Sequence, residues 1–460
     1  MIKNKISLLL ITCLMHIITI EIFSQDYCKN ICYCCKDICC GCLYDNNKKS
    51  EEEEQELKEK LEEQELEEEN KEEESKFTED QEQYFNNLLK DFDKNIKKFD
   101  NFIFFEKPDS TDVREYTIVK DGTKGKNGIL GEGAYGTVYK VKNKKGEIFA
   151  LKKNFIKKEL PLTWKNEIQA LIKCRKCKNV IKIVDVYKKN EIEQKYIAED
   201  NGNVDGFYYY IITELYDHGD LLSYISSIYN DGDIKRYYII LRRSIYQMIN
   251  AVKQVHDKGI IHRDIKPENF FIGENDKLYL GDFGCVSEQY DGMAAGDFNY
   301  RCQHLLNYLH EKGEGLKQDE NFNKLFKFLD IFALATSIFH LLTELRFWSL
   351  IDYNYFINKN ITVDDKWKRI KDKIVENDIS KNLSIFRYTP EEVEKNNDVD
   401  PKDWKEPEEY KNLDSNFENI LKKVLLESNF ETFNVVTIDD LINSAFYQGL
   451  KSLVTEEKNE

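Results

Sequence analysis

The 460-residue sequence has no internal repeat, no excess of positive charge and no histidine beside its densest cysteine cluster. Without a repeat, a stacked-repeat architecture is excluded. The net charge of −17 argues against a broad nucleic-acid-binding surface, so no nucleic-acid partner is expected. That charge is concentrated. Residues 51–75 hold fifteen Glu and three Lys, a balance of −12, which leaves −5 for the other 435 residues. Within this tract Leu57, Leu61 and Leu66 keep no heptad spacing, so a coiled coil is not supported. A solvated helix or a disordered spacer is the expectation there.

What is present suffices for a sizeable core, at 41% hydrophobic and 13% aromatic residues. The length fits two or three average domains, or one large two-lobed one. The chain opens with Lys3 and Lys5, then the largely apolar stretch Ile6 to Ile20, then Glu21 and the small Ser24. These are the three parts of a secretory signal peptide over residues 1–24, with a signal-anchor as the alternative. The stretch is shorter than the roughly 20 residues of a spanning helix. Either version places the rest in the lumen or outside, and the second gives the N-terminus a membrane contact.

Residues 28–42 hold seven cysteines, within a cysteine-rich segment 25–49. In an oxidising compartment disulfides are the first reading. Palmitoylation, if the cluster is membrane-held and faces the cytosol, is the second. Metal binding is the third, because two separated C-x₂-C pairs are missing. After the acidic spacer (50–76) comes an expected helical extension (77–115). There Phe85, Leu88, Leu89, Phe92, Ile96 and Phe99 recur on one helical face, suited to packing on a neighbouring domain.

Gly131, Gly133 and Gly136 form G-x-G-x-x-G, followed by Val138. Glycines permit a tight turn whose backbone approaches phosphates closely. The sequel "TVYKVKN" alternates like a strand, so the loop lies between two strands and does not open a helix. A turn at Lys145-Gly146 leads to a second strand with Lys152. "LPLTWKNEIQALIKC" predicts a helix bearing Glu167, with Thr163 as N-cap, Pro161 before it, and Ile168, Leu171 and Ile172 as its apolar face. "HRDIKPEN" supplies His262, Arg263, Asp264, Lys266 and Asn269, and Asp282-Phe283-Gly284 follows beyond a hairpin.

This ordered set resembles the eukaryotic protein kinase family over residues 116–450. The resemblance implies an α+β, two-lobed fold with a small β-rich lobe (116–214) and a larger helical lobe (215–450). It implies that Lys152, steadied by Glu167, grips the phosphates of ATP. Asp264 would accept the proton of a substrate hydroxyl, and Lys266 would stabilise the moving phosphoryl group. Asn269 and Asp282 would hold Mg²⁺, with Mn²⁺ as the substitute. A lysine two residues after Asp264 is the serine/threonine form.

Around the nucleotide, Leu130 joins the three glycines as cofactor-binding. Val138 and Ala150 would roof the adenine and Phe271 would floor it. Thr213 would guard the back pocket, and Glu214 to Tyr216 would offer backbone groups to the base. Asp220 fits either the carboxylate that takes the ribose hydroxyls or a plain helix N-cap. Asp330, in an apolar helix, would anchor the catalytic loop.

The sequence departs from the family after Gly284. Gly296-Asp297 stands where Gly-Thr is usual, and Cys302-Gln303-His304 where Ala-Pro-Glu is usual. No arginine follows Arg387, so both halves of a buried ion pair are missing together. Removing both partners can be neutral, whereas losing one strands a charge at about 3–5 kcal/mol. The segment offers Ser287, Tyr290 and Tyr300 but no threonine. Asp297 is expected to pair with Lys266, and Glu288, Asp291 and Asp297 to stand in partly for a phosphate facing Arg263. Glu268 hints at basic residues upstream of the target.

The tetrapeptide Phe155-Ile156-Lys157-Lys158 names an exported parasite kinase family, but Lys152 already fills the strand position and the glycine loop is intact. The layout of signal, charged extension and kinase is similar to that of secreted apicomplexan rhoptry kinases. The expectation is a serine/threonine kinase that uses ATP on a protein substrate, in the secretory pathway or secreted. A nucleotide-binding pseudokinase scaffold with a cysteine-rich anchoring N-terminus is the alternative. The sequons at Asn360 and Asn382 predict glycans if the lumenal placement holds.

Overall fold

The computed structural model describes residues 78–99, 116–119, 128–133, 136–157, 163–189, 206–288, 295–316, 319, 321–343, 345–351, 353–376 and 408–459. The expected signal peptide, cysteine-rich segment and acidic spacer lie outside the described residues, as do Ala134, Tyr135, Pro161, Tyr290, Asp291 and Asn382.

Helix α1 (Glu79–Lys90) starts from a capping box. Thr78 Oγ1 accepts from the Gln81 N–H at 3.2 Å, and Gln81 Oε1 accepts from the Thr78 N–H at 3.0 Å. The apolar stripe predicts one helix through Phe99, but α1 stops at Asp91, whose backbone is extended. A short α2 (Phe92–Asn95) and strand β1 (Lys97–Phe99) follow. At this break the Asn95 amide donates to the Asn87 and Asp91 carbonyls, both at 2.8 Å, tying the short helix back onto α1. Beyond it a sheet edge supplies backbone partners. Phe85, Leu88 and Ile96 nevertheless all enter the core.

Six further strands complete this sheet: β2 (Tyr116–Ile118), β3 (Ile129–Gly133), β4 (Gly136–Asn143), β5 (Ile148–Lys157), β6 (Ile183–Lys189) and β7 (Gly206–Glu214). The order is β1-β6-β7-β5-β4-β2, with β3 also paired to β4. The β1–β6 pair is parallel and the others are antiparallel. The run "YYYII" on β7 shows why the sheet has two covered faces. Tyr208, Tyr210 and Ile212 join Tyr116, Val141, Leu151 and Tyr187 on one side. Tyr209 and Ile211 turn to the other, in one core cluster with Ile168 and Leu171 of α3 (Thr163–Lys173). Helix α3 includes Thr163 as its first residue.

Just past α3, Arg175 Nη2 reaches Glu82 Oε2 at 2.6 Å and Asn86 Oδ1 at 3.1 Å, both on α1. The extension therefore belongs to the small lobe structurally, through β1 and through this contact. A lobe boundary at residue 116 falls inside one folded unit.

The large lobe follows with α4 (Leu221–Asn230), α5 (Ile234–Asp257) and the hairpin β8 (Phe270–Ile272)–β9 (Leu278–Leu280). Then come α6 (Gln303–Leu316), α7 (Phe322–Thr343), α8 (Phe347–Leu350), α9 (Tyr353–Ile357) and α10 (Val363–Glu376). Last are α11 (Glu408–Leu426), α12 (Ile438–Ile442) and α13 (Ala445–Asn459), which carries the lobe past residue 450. Helix α7 is apolar all round and almost wholly buried, the pattern of a central core helix. The architecture is α+β and two-lobed.

Candidate active site

Strand β5, helix α3 and the turn after β9 converge on one lysine. Lys152 Nζ stands 2.6 Å from Glu167 Oε1 and 2.9 Å from Asp282 Oδ1. Burial alone would push this ammonium down, but the two carboxylates more than reverse it and hold it firmly charged. Asp282, despite burial that opposes ionisation, is kept below the usual carboxylate range by Lys152. The other oxygen of Glu167 accepts from the Tyr209 hydroxyl at 3.1 Å, and Asn154 donates to Tyr209 at 2.6 Å. Motif reading misses Tyr209 and Asn154. The available signal is period two: Asn154 shares a strand face with Lys152, and register sets it opposite Tyr209.

The loop that carries His262 to Asn269 hangs from a single buried carboxylate. Asp330, at 0% exposure, accepts the His262 and Arg263 N–H groups, each at 2.7 Å. His256 Nε2 lies 2.9 Å from the same carboxylate, a partner that sequence reading misses. Burial opposes the Asp330 charge, but His256 and His262, by hydrogen bonds and charge together, outweigh it, so the carboxyl sits below its ordinary range. Burial pushes His262 the other way, toward the neutral ring. Its Nε2–H then donates to the Gly281 carbonyl at 3.0 Å, just before Asp282. Arg263 and Asp282 both adopt positive φ (65° and 52°), a conformation that side chains occupy where surrounding bonds enforce it.

Asp264 is held from three sides. It accepts from Asn269 Nδ2 at 2.9 Å and from the Asp297 N–H at 2.9 Å, and Lys266 Nζ stands at 3.1 Å. Half-burial lowers the Lys266 ammonium and Asp264 more than restores it. Gly296 (φ +84°) makes the Asp297 contact possible, since a Cβ there would fall 2.1 Å from the Arg263 carbonyl oxygen.

The nucleotide-contact candidates lie on β3, β4, β5, β7 and β8 and on the segment between β7 and α4. Leu130, Gly131 and Gly133 lie on β3, with Leu130 exposed. Gly136 opens β4 at φ +114°, where a Cβ would meet Asn154 Oδ1 at 1.8 Å. Val138 is in register with Lys152, and Ala150 with Thr213. The Glu214 N–H donates to the Lys182 carbonyl at 3.0 Å, and Tyr216 stacks on Tyr279 with centroids 4.3 Å apart. Asp220 caps α4, accepting from the Ser223 N–H at 2.9 Å and hydroxyl at 2.8 Å, and bridges Phe271 across the backbone. Of the two readings of Asp220, the structure shows the helix cap, with both carboxylate oxygens on Ser223.

The rebuilt segment resolves into specific contacts. Arg263 Nε donates to the Cys285 carbonyl at 2.5 Å, while Glu288 pairs with Lys173 of α3. Asp297 Oδ2 is 4.0 Å from Lys266, at the outer limit of a pair, and its Oδ1 accepts from the Asn299 N–H at 2.9 Å. Ser287 and Tyr300 are buried. Tyr300 Oη lies 2.8 Å from His340 Nδ1 and 3.2 Å from Glu268 Oε2. In place of a buried ion pair, His304 sits among Phe332, Phe356 and Phe430, with centroids 4.9–5.6 Å away. Burial, with Lys366 nearby, pushes its imidazole down to about 3. A neutral ring in an aromatic cage needs no counter-ion.

The family model described as protein kinase domain matches residues 125–429. A cyclin-dependent kinase-like 1 of Caenorhabditis elegans is 31% identical over 185 residues, 38% of this chain and 46% of that protein. A probable casein kinase I homologue of Encephalitozoon cuniculi is 30% identical over 179 residues, 38% of this chain and 46% of that protein. The chain thus spans less than half the length of these curated relatives. Among solved structures, the ROP18 kinase domain in complex with AMP-PNP and sucrose covers 72% of this chain and 80% of its own, at 16% identity and a TM-score of 0.43.

Proposed function

The chain belongs to the protein kinase family, and on that premise we propose that it transfers the γ-phosphate of ATP to serine or threonine hydroxyls of a protein substrate. The observation that carries this reading is the double engagement of Lys152 by Glu167 and Asp282. Such an arrangement sets a fixed positive charge where ATP phosphates enter and positions a carboxylate opposite it. Asp264, held in place by Asn269 and the Asp297 N–H, takes the proton of the incoming hydroxyl. Lys266 supplies positive charge beside the transferring group.

Asp282 and Asn269 offer hard oxygen donors, a set that suits Mg²⁺ held partly by protein and partly by phosphates. When bound, the ion neutralises charge on the phosphate oxygens. Lys266, two residues after Asp264, supports serine/threonine over tyrosine. The apolar N-terminal stretch supports a place in the secretory pathway, or delivery beyond it to a compartment that holds ATP.

The test compares the full chain with Asp264→Asn, using γ-labelled ATP and following autophosphorylation and basic-protein labelling. The variant should keep nucleotide binding and lose about 10²–10⁴-fold in transfer. A parent chain that binds ATP but labels nothing would instead be a scaffold. For location, the native N-terminal peptide should begin at or near Gln25. A start at Met1 with acyl groups on Cys28 to Cys42 would overturn the secretory placement.

A further inference from the structure

Helix α3 runs into the turn Cys174-Arg175-Lys176-Cys177. The Cys177 N–H donates to the Cys174 carbonyl at 2.8 Å, which folds the two cysteines toward each other. Both are buried and unbridged, at 0% and 6% exposure. The two residues between them, Arg175 and Lys176, serve a different partner. Both reach Glu82 of α1, at 2.6 and 3.5 Å. Behind the thiols, Lys182 donates to the Cys177 carbonyl, and Cys177 Sγ lies 4.0 Å from the Gln254 carbonyl of α5.

We propose that Cys174 and Cys177 form a redox-active dithiol, a modification site that closes to an intra-turn disulfide by exchange with a small-molecule disulfide such as glutathione disulfide. A disulfide joins Cα atoms roughly 5–6 Å apart, a separation that residues i and i+3 of a hydrogen-bonded turn provide. Cys174 beside it, with Lys258 and Lys182 nearby, holds the Cys177 thiol below its ordinary value, while Cys177 and burial push the Cys174 thiol up. Cys177, also the more exposed of the two, is therefore the attacking sulfur.

The exchange balances in two steps. The Cys177 thiolate attacks one sulfur of the glutathione disulfide. A Cys177–glutathione bond forms, the original S–S bond breaks, and one glutathione thiolate leaves and is protonated. Cys174 then gives up its proton and attacks Cys177 Sγ, expelling the second glutathione. Two protein thiols are oxidised and one glutathione disulfide is reduced to two thiols. The product locks the turn from which Arg175 and Lys176 hold the extension.

The experiment equilibrates the full folded chain in glutathione buffers of rising oxidised fraction, traps thiols by acid and alkylates under denaturant. Cleavage at acidic residues then releases fragment 168–185, which contains these two cysteines and no other. The fragment should pass from two labels to none with the loss of two hydrogens, reversibly with dithiothreitol. Cys174→Ser should trap one glutathione on Cys177, and Cys177→Ser should leave Cys174 unmodified. Two labels persisting at the most oxidising buffer would overturn the proposal. So would a bond from either cysteine to one outside the turn.

Discussion

Tyr209 Oη and Glu167 Oε2 stand 3.1 Å apart, while Lys152 Nζ holds the other oxygen of the same carboxylate at 2.6 Å. The group that steadies the lysine is thus itself steadied from the sheet. Burial, and then the Glu167 charge, push the Tyr209 hydroxyl far above its ordinary value, so it remains a donor throughout the working pH range.

Tyr209→Phe should cost about 1–2 kcal/mol, because it deletes one buried hydrogen bond to a charged group and leaves the Asn154 amide without its acceptor. Transfer rate should fall severalfold, since Glu167 gains freedom to leave Lys152. Urea denaturation and steady-state kinetics check both. A variant as stable and as fast as the parent would remove Tyr209 from the site.

Gly136→Ala meets two obstacles. The residue is at φ +114°, and the new Cβ would lie 1.8 Å from Asn154 Oδ1 and 2.3 Å from the Lys153 carbonyl oxygen. The expected loss is about 1–3 kcal/mol, with weaker nucleotide binding if the glycine loop ahead of β4 meets phosphates as proposed. Thermal melts with and without ATP separate the two effects. Gly131→Ala, where nothing lies within 4 Å of the added carbon, is the control for crowding.

Arg175→Ala should destabilise the small lobe by about 1–3 kcal/mol, as it removes four hydrogen bonds, to Glu82, Asn86 and the Ile172 carbonyl, from a mostly buried guanidinium. The hydrogen bond from Arg175 comes first among the causes that hold Glu82 below the ordinary carboxylate range. Its contribution is therefore present above the unfolded pKa and lost as pH falls through the folded one. Acid titration of stability should be shallower in Glu82→Gln. Equal slopes for parent and variant would contradict the pairing.

His304 predicts a second acid sensitivity. Its folded pKa is about 3, against 6.5 for the free ring, so between these values the unfolded chain binds a proton that the folded chain refuses. Stability should fall as pH drops through this window, by about 1.4 kcal/mol per unit at its steepest. His304→Phe keeps a ring among Phe332, Phe356 and Phe430 and should flatten the curve. A curve unchanged by the substitution would place the sensitivity elsewhere.

Residues whose chemistry requires a fixed spacing are legible in the sequence. Lys152, Glu167, Asp264, Asn269 and Asp282 stand at intervals set by a loop, a helix and a hairpin, and the fold joins Lys152 to Glu167 and Asp282, and Asn269 to Asp264. The unbroken apolar run on β7 and the largely apolar α7 likewise match their buried environments. What stays hidden depends on partners distant in sequence. His256 looks like an ordinary helix-end residue until Asp330, 74 positions later, arrives beside it. The stripe through Phe99 misleads for the same reason. Periodicity reports which side chains are buried, and both a helix and a broken helix ending in a strand can bury them. Glu288 is chosen by Lys173 on α3, a neighbour that no local pattern names.

Strand β1 closes a border. It is the outermost strand on its side of the sheet, and it covers the flank of β6 through the register Lys97–Tyr187 to Phe99–Lys189. A fragment beginning at residue 116 would leave that flank with unpaired amides and carbonyls, a template for strands of other molecules. It would also uncover the apolar seat of Phe85 and Leu88. In a recombinant host such a fragment should accumulate as insoluble protein, whereas one beginning at Thr78 should stay in solution. Three residues of strand thus act as the chain's own guard against self-association.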